Sequence, residues 1–182
     1  MRELALHVLD ILQNAVEAGA SRVSLDIEED ESAGHLTVTI ADNGHGMDAA
    51  TLARSVNPFY TSRTTRHVGL GLPLWSAAAE RAGGHMTIQS QPGAGTTVAA
   101  SFRFSHPDRQ PLGDITGTLL AFVLAERPVD LHYVHHSDRG EFAFNTAEIR
   151  ASLADIPISH PAVRQWLAEY LAEGEESVRS QA

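Results

Sequence analysis

Three glycine-rich turns occur in a short part of the chain, at residues 42–46, 69–72 and 93–97. Glycine lets the backbone adopt positive φ angles and lets it approach a ligand closely. The second turn leads directly into a predicted helix, and a helix N-terminus is a favourable site for an anion. One such turn alone is commonly a plain hairpin or a helix cap. Three of them in this order favour a ligand site that is built from main-chain turns.

Asp42 stands at the start of the first turn, directly after an apolar strand predicted at residues 36–40. An ionised carboxylate only accepts hydrogen bonds, so in a buried position it can receive the amino group of adenine. The same contact would select adenine over guanine, which has a carbonyl oxygen at that place.

The first predicted helix, residues 3–18, has apolar side chains on one face and a polar stripe on the other. Asp10 and Asn14 are one turn apart on that stripe, with β-carbons about 6 Å from each other. A carboxylate and an amide oxygen so placed can hold Mg²⁺ and its waters near phosphates. A solvated helix face is the alternative interpretation. His7 is on the same stripe and is expected to be partly exposed, with autophosphorylation or assistance to Mg²⁺ as its possible roles.

The chain contains neither lysine nor cysteine, and its net charge is −10. These absences exclude the P-loop, the lysine-dependent protein kinases, Schiff-base enzymes and thiol chemistry. The negative charge argues against broad nucleic-acid binding. No apolar run approaches about 18 residues, and the N-terminus lacks the features of a signal peptide. We therefore expect no membrane association and a cytoplasmic location.

The pattern of strands and helices predicts an α+β protein with a first domain at residues 1–104, a linker at 105–113 and a small α+β unit at 114–182. In the second unit we expect a helix, a hairpin whose His135 and His136 lie at the surface, and a final helix. That helix is expected to end near Ala172, and the polar tail after Gly174 is expected to be frayed.

Five segments together resemble the GHKL ATP-binding fold. This fold is shared by sensor histidine kinases, type II topoisomerases, the chaperone Hsp90, mismatch-repair ATPases and anti-sigma-factor kinases. The N box is matched by residues 10–15, the G1 box by 42–47, the F box by 57–63, the G2 box by 69–72 and the G3 box by 93–97. The resemblance implies a Bergerat-type two-layer sandwich, in which helices cover a mixed, mostly antiparallel sheet.

The resemblance also implies cofactors and roles. ATP and Mg²⁺ would be bound, with Asn14 on Mg²⁺ and Asp42 on adenine. Several relatives carry a glutamate as general base at the position of Asp10, which would serve here as base or as a second Mg²⁺ ligand. The full set implied for the nucleotide is Asn14, Asp42, Gly44, Gly46, Met47, Arg63, Gly69, Leu70, Gly71, Leu72 and Thr96. Arg63 or Arg66 would take the phosphate contact that relatives give to lysine.

Three functions are compatible with these residues. A protein kinase would act on a partner protein, since the N box begins within ten residues of Met1 and we expect no helical hairpin with a phospho-acceptor histidine before it. A slow ATPase would instead switch the conformation of the lid at residues 57–70. A nucleotide-sensing module would bind ATP without turnover. A regulatory partner or a homodimer fits each of the three.

Overall fold

Six strands form one sheet: β1 (Arg22–Asp30), β2 (His35–Asp42), β3 (His85–Gln91), β4 (Gly95–Arg103), β5 (Asp130–Ser137) and β6 (Gly140–Asn145). Their order across the sheet is β3-β4-β2-β1-β5-β6. The structure is a computed structural model that describes residues 3–56, 71–125 and 127–179. Neighbouring strands are antiparallel except β1 and β5, which are parallel. The predicted mixed, mostly antiparallel sheet is confirmed.

The helices of the described residues are α1 (Leu4–Glu17), α2 (Ala49–Ser55), α3 (Gly71–Arg81), α4 (Ile115–Leu124), α5 (Thr146–Leu153) and α6 (Pro161–Val178). Helix α3 packs over β3 and β4, α1 over β2, and α6 over β5 and β6, while α4 lies between α1 and α6. Alternate strand residues, such as Val23, Leu25 and Ile27, are buried under these helices. This arrangement confirms the two-layer α+β fold.

Strand β5 pairs with β1, so strands from both sides of the predicted linker belong to one sheet. The division into domains at residues 105–113 stays a prediction. Part of that segment has defined contacts: the carbonyls of Pro111 and Leu112 accept from the first amides of α1, each at 2.9 Å. The guanidinium of Arg179, at the end of α6, donates to the carbonyl of Gly113. Residues 110–113, which we call the strap, therefore connect the end of α6 to the start of α1.

The last helix is longer than predicted, because it continues through Gly174 to Val178. A β-carbon at Gly174 would come within 2.2 Å of the Phe142 ring on β6, so the glycine admits an aromatic ring and does not end the helix. Glu175 and Val178, beyond it, are buried. The prediction of a frayed tail directly after Gly174 is therefore wrong.

The predicted surface position of His135 is wrong too, because its side chain is fully buried. Its Nδ1 lies 3.1 Å from Oε2 of Glu175 on α6, and its Nε2 lies 3.8 Å from Oε1 of Glu29 on β1. The hydroxyl of Tyr133 donates to the same Glu175 carboxylate at 2.6 Å. These buried groups attach α6 to the sheet. His136, the neighbour of His135, is exposed as predicted.

Candidate nucleotide site

One row of side chains crosses three adjacent strands at the end of the sheet. Thr96 on β4 is the register partner of Asp42 on β2 and also of Ser90 on β3. All three are partly buried and lie on the sheet face that the helices cover. Side chains of directly opposite residues in antiparallel strands have β-carbons about 5 Å apart. The predicted adenine residues Asp42 and Thr96 are thus brought side by side.

The turn after Asp42 lies on the end of α1. The Asp42 carboxylate accepts from the amide of Gly44 at 2.8 Å, and the amide of His45 donates to the carbonyl of Ala18 at 2.9 Å. A β-carbon at Gly44 would come within 2.8 Å of the Ala18 side chain. Glycine is needed here because the turn and the helix approach so closely. This packing sets the position of the Asp42 carboxylate relative to the helix that carries Asp10 and Asn14.

Two of the predicted glycines belong to turns that lie back to back. A β-carbon at Gly46 would be 1.9 Å from the carbonyl oxygen of Gln91, and one at Gly95 would be 1.9 Å from that of Asp42. Both glycines have positive φ angles, 64° and 89°. The amide of Gly93 donates to the carbonyl of His45 at 2.7 Å, which ties the two turns together. The two glycines therefore let the turns pack main chain against main chain next to the Asp42–Thr96 row.

Ser90 is a residue of the site that the sequence analysis did not select. Its hydroxyl contacts the amide of Met47 at 2.8 Å, the carbonyl of Gly95 at 3.1 Å and the hydroxyl of Thr96 at 2.8 Å. It thus joins both glycine turns. The signal for it was available, since β3 alternates and the turn at residues 91–95 puts Ser90 opposite Thr96.

Asp10 and Asn14 are both half-buried on α1. Asp10 lies at the start of α3, where a β-carbon built on Gly71 would be 3.3 Å from its Oδ2. Burial raises the pKa of the Asp10 carboxyl, and nearby His7 opposes that shift. A raised pKa moves a carboxylate toward the range in which it can take up a proton near neutral pH.

His7 is buried, with 2% of its surface exposed, so the predicted partial exposure is wrong. Its Nε2 lies 3.2 Å from Oε1 of Gln110 in the strap, and its ring stacks on Trp75 of α3 at 6.2 Å. Burial lowers the pKa of its imidazole, which the Gln110 hydrogen bond partly offsets. An enclosed ring of this kind connects α1, α3 and the strap, and it is not a surface phospho-acceptor.

The chemistry of the site suits Mg²⁺ bound with phosphates. Mg²⁺ commonly takes one or two protein oxygens and completes its shell with water and phosphate, and Asp10 and Asn14 offer a carboxylate and an amide oxygen. Over residues 3–56, 71–125 and 127–179, no group of three or more His, Cys, Asp or Glu side chains could hold a metal alone.

The remaining predicted residues divide into two groups. Leu72 is buried in the core and Met47 is partly buried beside Ser90. Arg63, Gly69 and Leu70, with the alternative Arg66, lie outside the described residues.

Among the helices that the structure describes, none is long and apolar enough to cross a membrane.

The family model described as "Histidine kinase-, DNA gyrase B-, and HSP90-like ATPase" matches residues 2–108. Sensor protein kinase FleS of Pseudomonas aeruginosa is 40% identical over 89 residues, which cover 49% of this chain and 22% of that protein. Histidine protein kinase DivJ of Caulobacter vibrioides is 33% identical over 102 residues, covering 54% and 17%. The match therefore spans less than a quarter of either relative.

Among solved structures, the N-terminal domain of a DNA repair protein is similar with a TM-score of 0.56 and 15% identity. The superposition covers 79% of this chain and 52% of that one. At this level of identity the likeness shows a shared fold alone.

Proposed function

The chain belongs to the family of histidine kinase-, DNA gyrase B- and HSP90-like ATPases, and we propose that it is a Mg²⁺–ATP-dependent protein kinase that phosphorylates a partner protein in bacterial regulation. Asp42 and Thr96 would hold the adenine, and the back-to-back turns at Gly46 and Gly95 would carry its ring face. Asn14 would hold Mg²⁺, which when bound supplies charge neutralisation at the phosphates, while Asp10 would stay free of the metal and act as the base. ATP supply and a soluble partner fit a cytoplasmic location.

The single observation that carries the kinase proposal is the position of Asp10. The carboxylate is one helical turn from Asn14, lies against the start of α3 and has a pKa raised by burial. A nucleophile of the partner would attack the γ-phosphorus, and the bond from that phosphorus to the bridging oxygen would break to release ADP. Asp10 would orient the nucleophile and accept the proton it loses.

A slow ATPase switch is the second candidate, and the strap favours it. Gln110 contacts His7 one turn before Asp10, and Gly113 is held by Arg179 at the end of α6. A change at α1 on ATP binding would thus reach the C-terminal helix through residues 110–113. In this candidate water replaces the partner's nucleophile, and phosphate is released.

The test combines calorimetry with transfer of label from [γ-³²P]ATP. Wild type should bind Mg²⁺–ATP, and Asp42→Asn and Asn14→Ala should each lose at least about tenfold in affinity. Asp10→Asn should retain ATP but lose about 10²–10⁴ in transfer rate, the range typical of general-base removal. Asp108→Asn, at an exposed position outside the site, is the matched control.

The outcomes separate the candidates. Label that appears on a protein of the host lysate, and disappears with Asp10→Asn, supports the kinase. Phosphate release without labelling, equally dependent on Asp10, supports the switch. Wild-type ATP affinity in Asp42→Asn contradicts the adenine assignment in both.

A further inference from the structure

Ser90 makes three polar contacts through one oxygen atom, and one arrangement of protons satisfies all three. Its Oγ lies 2.8 Å from the amide nitrogen of Met47, 3.1 Å from the carbonyl oxygen of Gly95 and 2.8 Å from Oγ1 of Thr96. A serine hydroxyl has one proton to donate and two lone pairs to accept with. Three contacts therefore use its full capacity.

The proton positions follow by elimination. The Met47 amide can only donate, so it occupies one lone pair of Ser90. The Gly95 carbonyl can only accept, so it must receive the one proton of Ser90. The contact with Thr96 is then satisfied only if the Thr96 hydroxyl donates to the second lone pair. If Ser90 donated its proton to Thr96 instead, Oγ of Ser90 and the carbonyl oxygen of Gly95 would lie 3.1 Å apart with no proton between them.

This arrangement has a consequence for Thr96. Because its proton is committed to Ser90, Thr96 faces its neighbours with lone pairs alone. Asp42, its register partner on the other side, is an acceptor as well. The row therefore presents two adjacent acceptors at the place where the proposed function puts the adenine amino group.

We propose that Ser90 is a specificity-determining positioning residue, which holds Thr96 as an acceptor and so makes the site select a purine with an amino group at carbon 6. The inference rests on the proposed adenine site. Adenine offers two N–H donors at that carbon, which match two acceptors. Guanine and hypoxanthine offer a carbonyl oxygen there, which would face two acceptors and leave them unpaired. A site built around buried polar groups rejects such mismatched ligands strongly.

Binding of ATP and of inosine triphosphate (ITP) to the wild-type chain, each with Mg²⁺, is the first measurement. ITP has a carbonyl oxygen at carbon 6 and a proton on N1, where ATP has an amino group and a bare ring nitrogen, so wild type should bind ATP at least about 100-fold more tightly. Affinities within twofold of each other would overturn the proposal without any variant.

Ser90→Ala is the second measurement. Loss of the acceptor frees the Thr96 proton, which can then donate to the ITP carbonyl. The ATP/ITP affinity ratio should fall about tenfold, a change that corresponds to one hydrogen bond. Ser90→Thr keeps the hydroxyl and should restore the ratio. Ser101→Ala is the matched control, because Ser101 bonds His85 at the other end of the same hairpin and should leave the ratio unchanged.

A double-mutant cycle separates positioning from a structural role. Thr96→Val removes the hydroxyl that Ser90 orients, so adding Ser90→Ala to it should change the ratio no further. Additive effects, or a wild-type ratio in a folded Ser90→Ala protein, would overturn the proposal. If Ser90→Ala does not fold, Thr96→Ser should keep the wild-type ratio and Thr96→Val should lose it; equal ratios in the two would overturn it.

Asp42→Asn distinguishes a failure of this inference from a failure of the proposed adenine site on which it rests. If Asp42→Asn binds ATP as tightly as wild type, the adenine site itself is contradicted. A different result would be a loss of ATP affinity in Asp42→Asn with an unchanged ATP/ITP affinity ratio in Ser90→Ala. This result would support the adenine site and contradict only the role of Ser90.

Discussion

Asp10 packs against the first residue of α3, because a β-carbon built on Gly71 would lie 3.3 Å from the carboxylate oxygen Oδ2. Gly71→Ala should therefore displace the Asp10 side chain by a few tenths of an ångström. We expect the rate of phosphoryl transfer or phosphate release to fall about tenfold, since a general base acts only within hydrogen-bond reach.

Stability supplies the control for this variant. Gly71 is not among the glycines with a positive φ, and alanine at such a position stabilises a protein by about 0.4–1 kcal/mol, so Gly71→Ala should unfold at an equal or higher urea concentration than wild type. A variant that is less active yet no less stable would identify the contact with Asp10 as the cause. Unchanged activity would contradict it.

Gly95→Ala should abolish ATP binding and destabilise the protein. The added β-carbon would lie 1.9 Å from the Asp42 carbonyl oxygen, at a φ of 89°. We expect a loss of about 2–4 kcal/mol in the free energy of unfolding, measured in urea, because the main chain at residue 95 and the main chain at Asp42 must move apart.

Gly93→Ala is the matched control in the same turn. Gly93 also has a positive φ, 77°, but nothing lies within 4 Å of its β-carbon position. This variant should lose only the backbone strain, about 1–2 kcal/mol, and should bind ATP like wild type. Equal losses of ATP affinity in the two variants would mean that strain, and not the approach to Asp42, sets the effect.

His7 should make the stability of the protein fall as the pH falls. Burial lowers the pKa of His7 from its usual 6.5, so below that pH the unfolded chain binds a proton that the folded chain resists. The unfolded state then holds more protons. The free energy of unfolding should therefore decrease from about pH 7 until the pH passes the folded-state pKa.

His7→Phe keeps an aromatic ring to stack on Trp75 and removes the titration. Both free energies of unfolding are measured in urea from pH 5 to pH 8. As the pH falls, that of wild type should decrease relative to that of His7→Phe. A difference that does not vary with pH would rule out His7 as the titrating group.

Glu175→Leu should detach α6 from the sheet. The buried carboxylate accepts from Tyr133 at 2.6 Å and from His135 at 3.1 Å, so its removal leaves both donors buried without their partner. Leaving a buried donor without its acceptor costs about 1–3 kcal/mol, so the two donors together predict a loss of about 2–6 kcal/mol in the free energy of unfolding. Urea unfolding measures the loss.

An exposed pair of the same residue types is the control. Glu141 and His136 lie 3.8 Å apart with more than half of each side chain exposed, so Glu141→Gln should change the stability little. A small effect of Glu175→Leu, similar to that of Glu141→Gln, would show that the buried groups do not hold α6 in place.

Most of the elements could be predicted because their signals are local. Asp48, Asp114 and Asn145 each precede a helix and cap it through their side chains, as residues of these types do. The strands alternate apolar and polar residues because the helices cover one face of the sheet, where every second strand residue is buried. The end of α6 was missed, since Gly174 stops a helix by its local preference, whereas the Phe142 ring that needs the space belongs to β6.

The sequence by itself determined the turns and the family of the site, because positive φ angles and helix periodicity depend on residues that are close along the chain. The tertiary structure alone decided the surroundings of the histidines. His7 meets Gln110 across 103 positions and His135 meets Glu175 across 40, and neither distance leaves a periodic signal. Burial and proton placement depend on which distant groups the fold brings together. Ser90 is different, because the local turn at residues 91–95 already places it opposite Thr96.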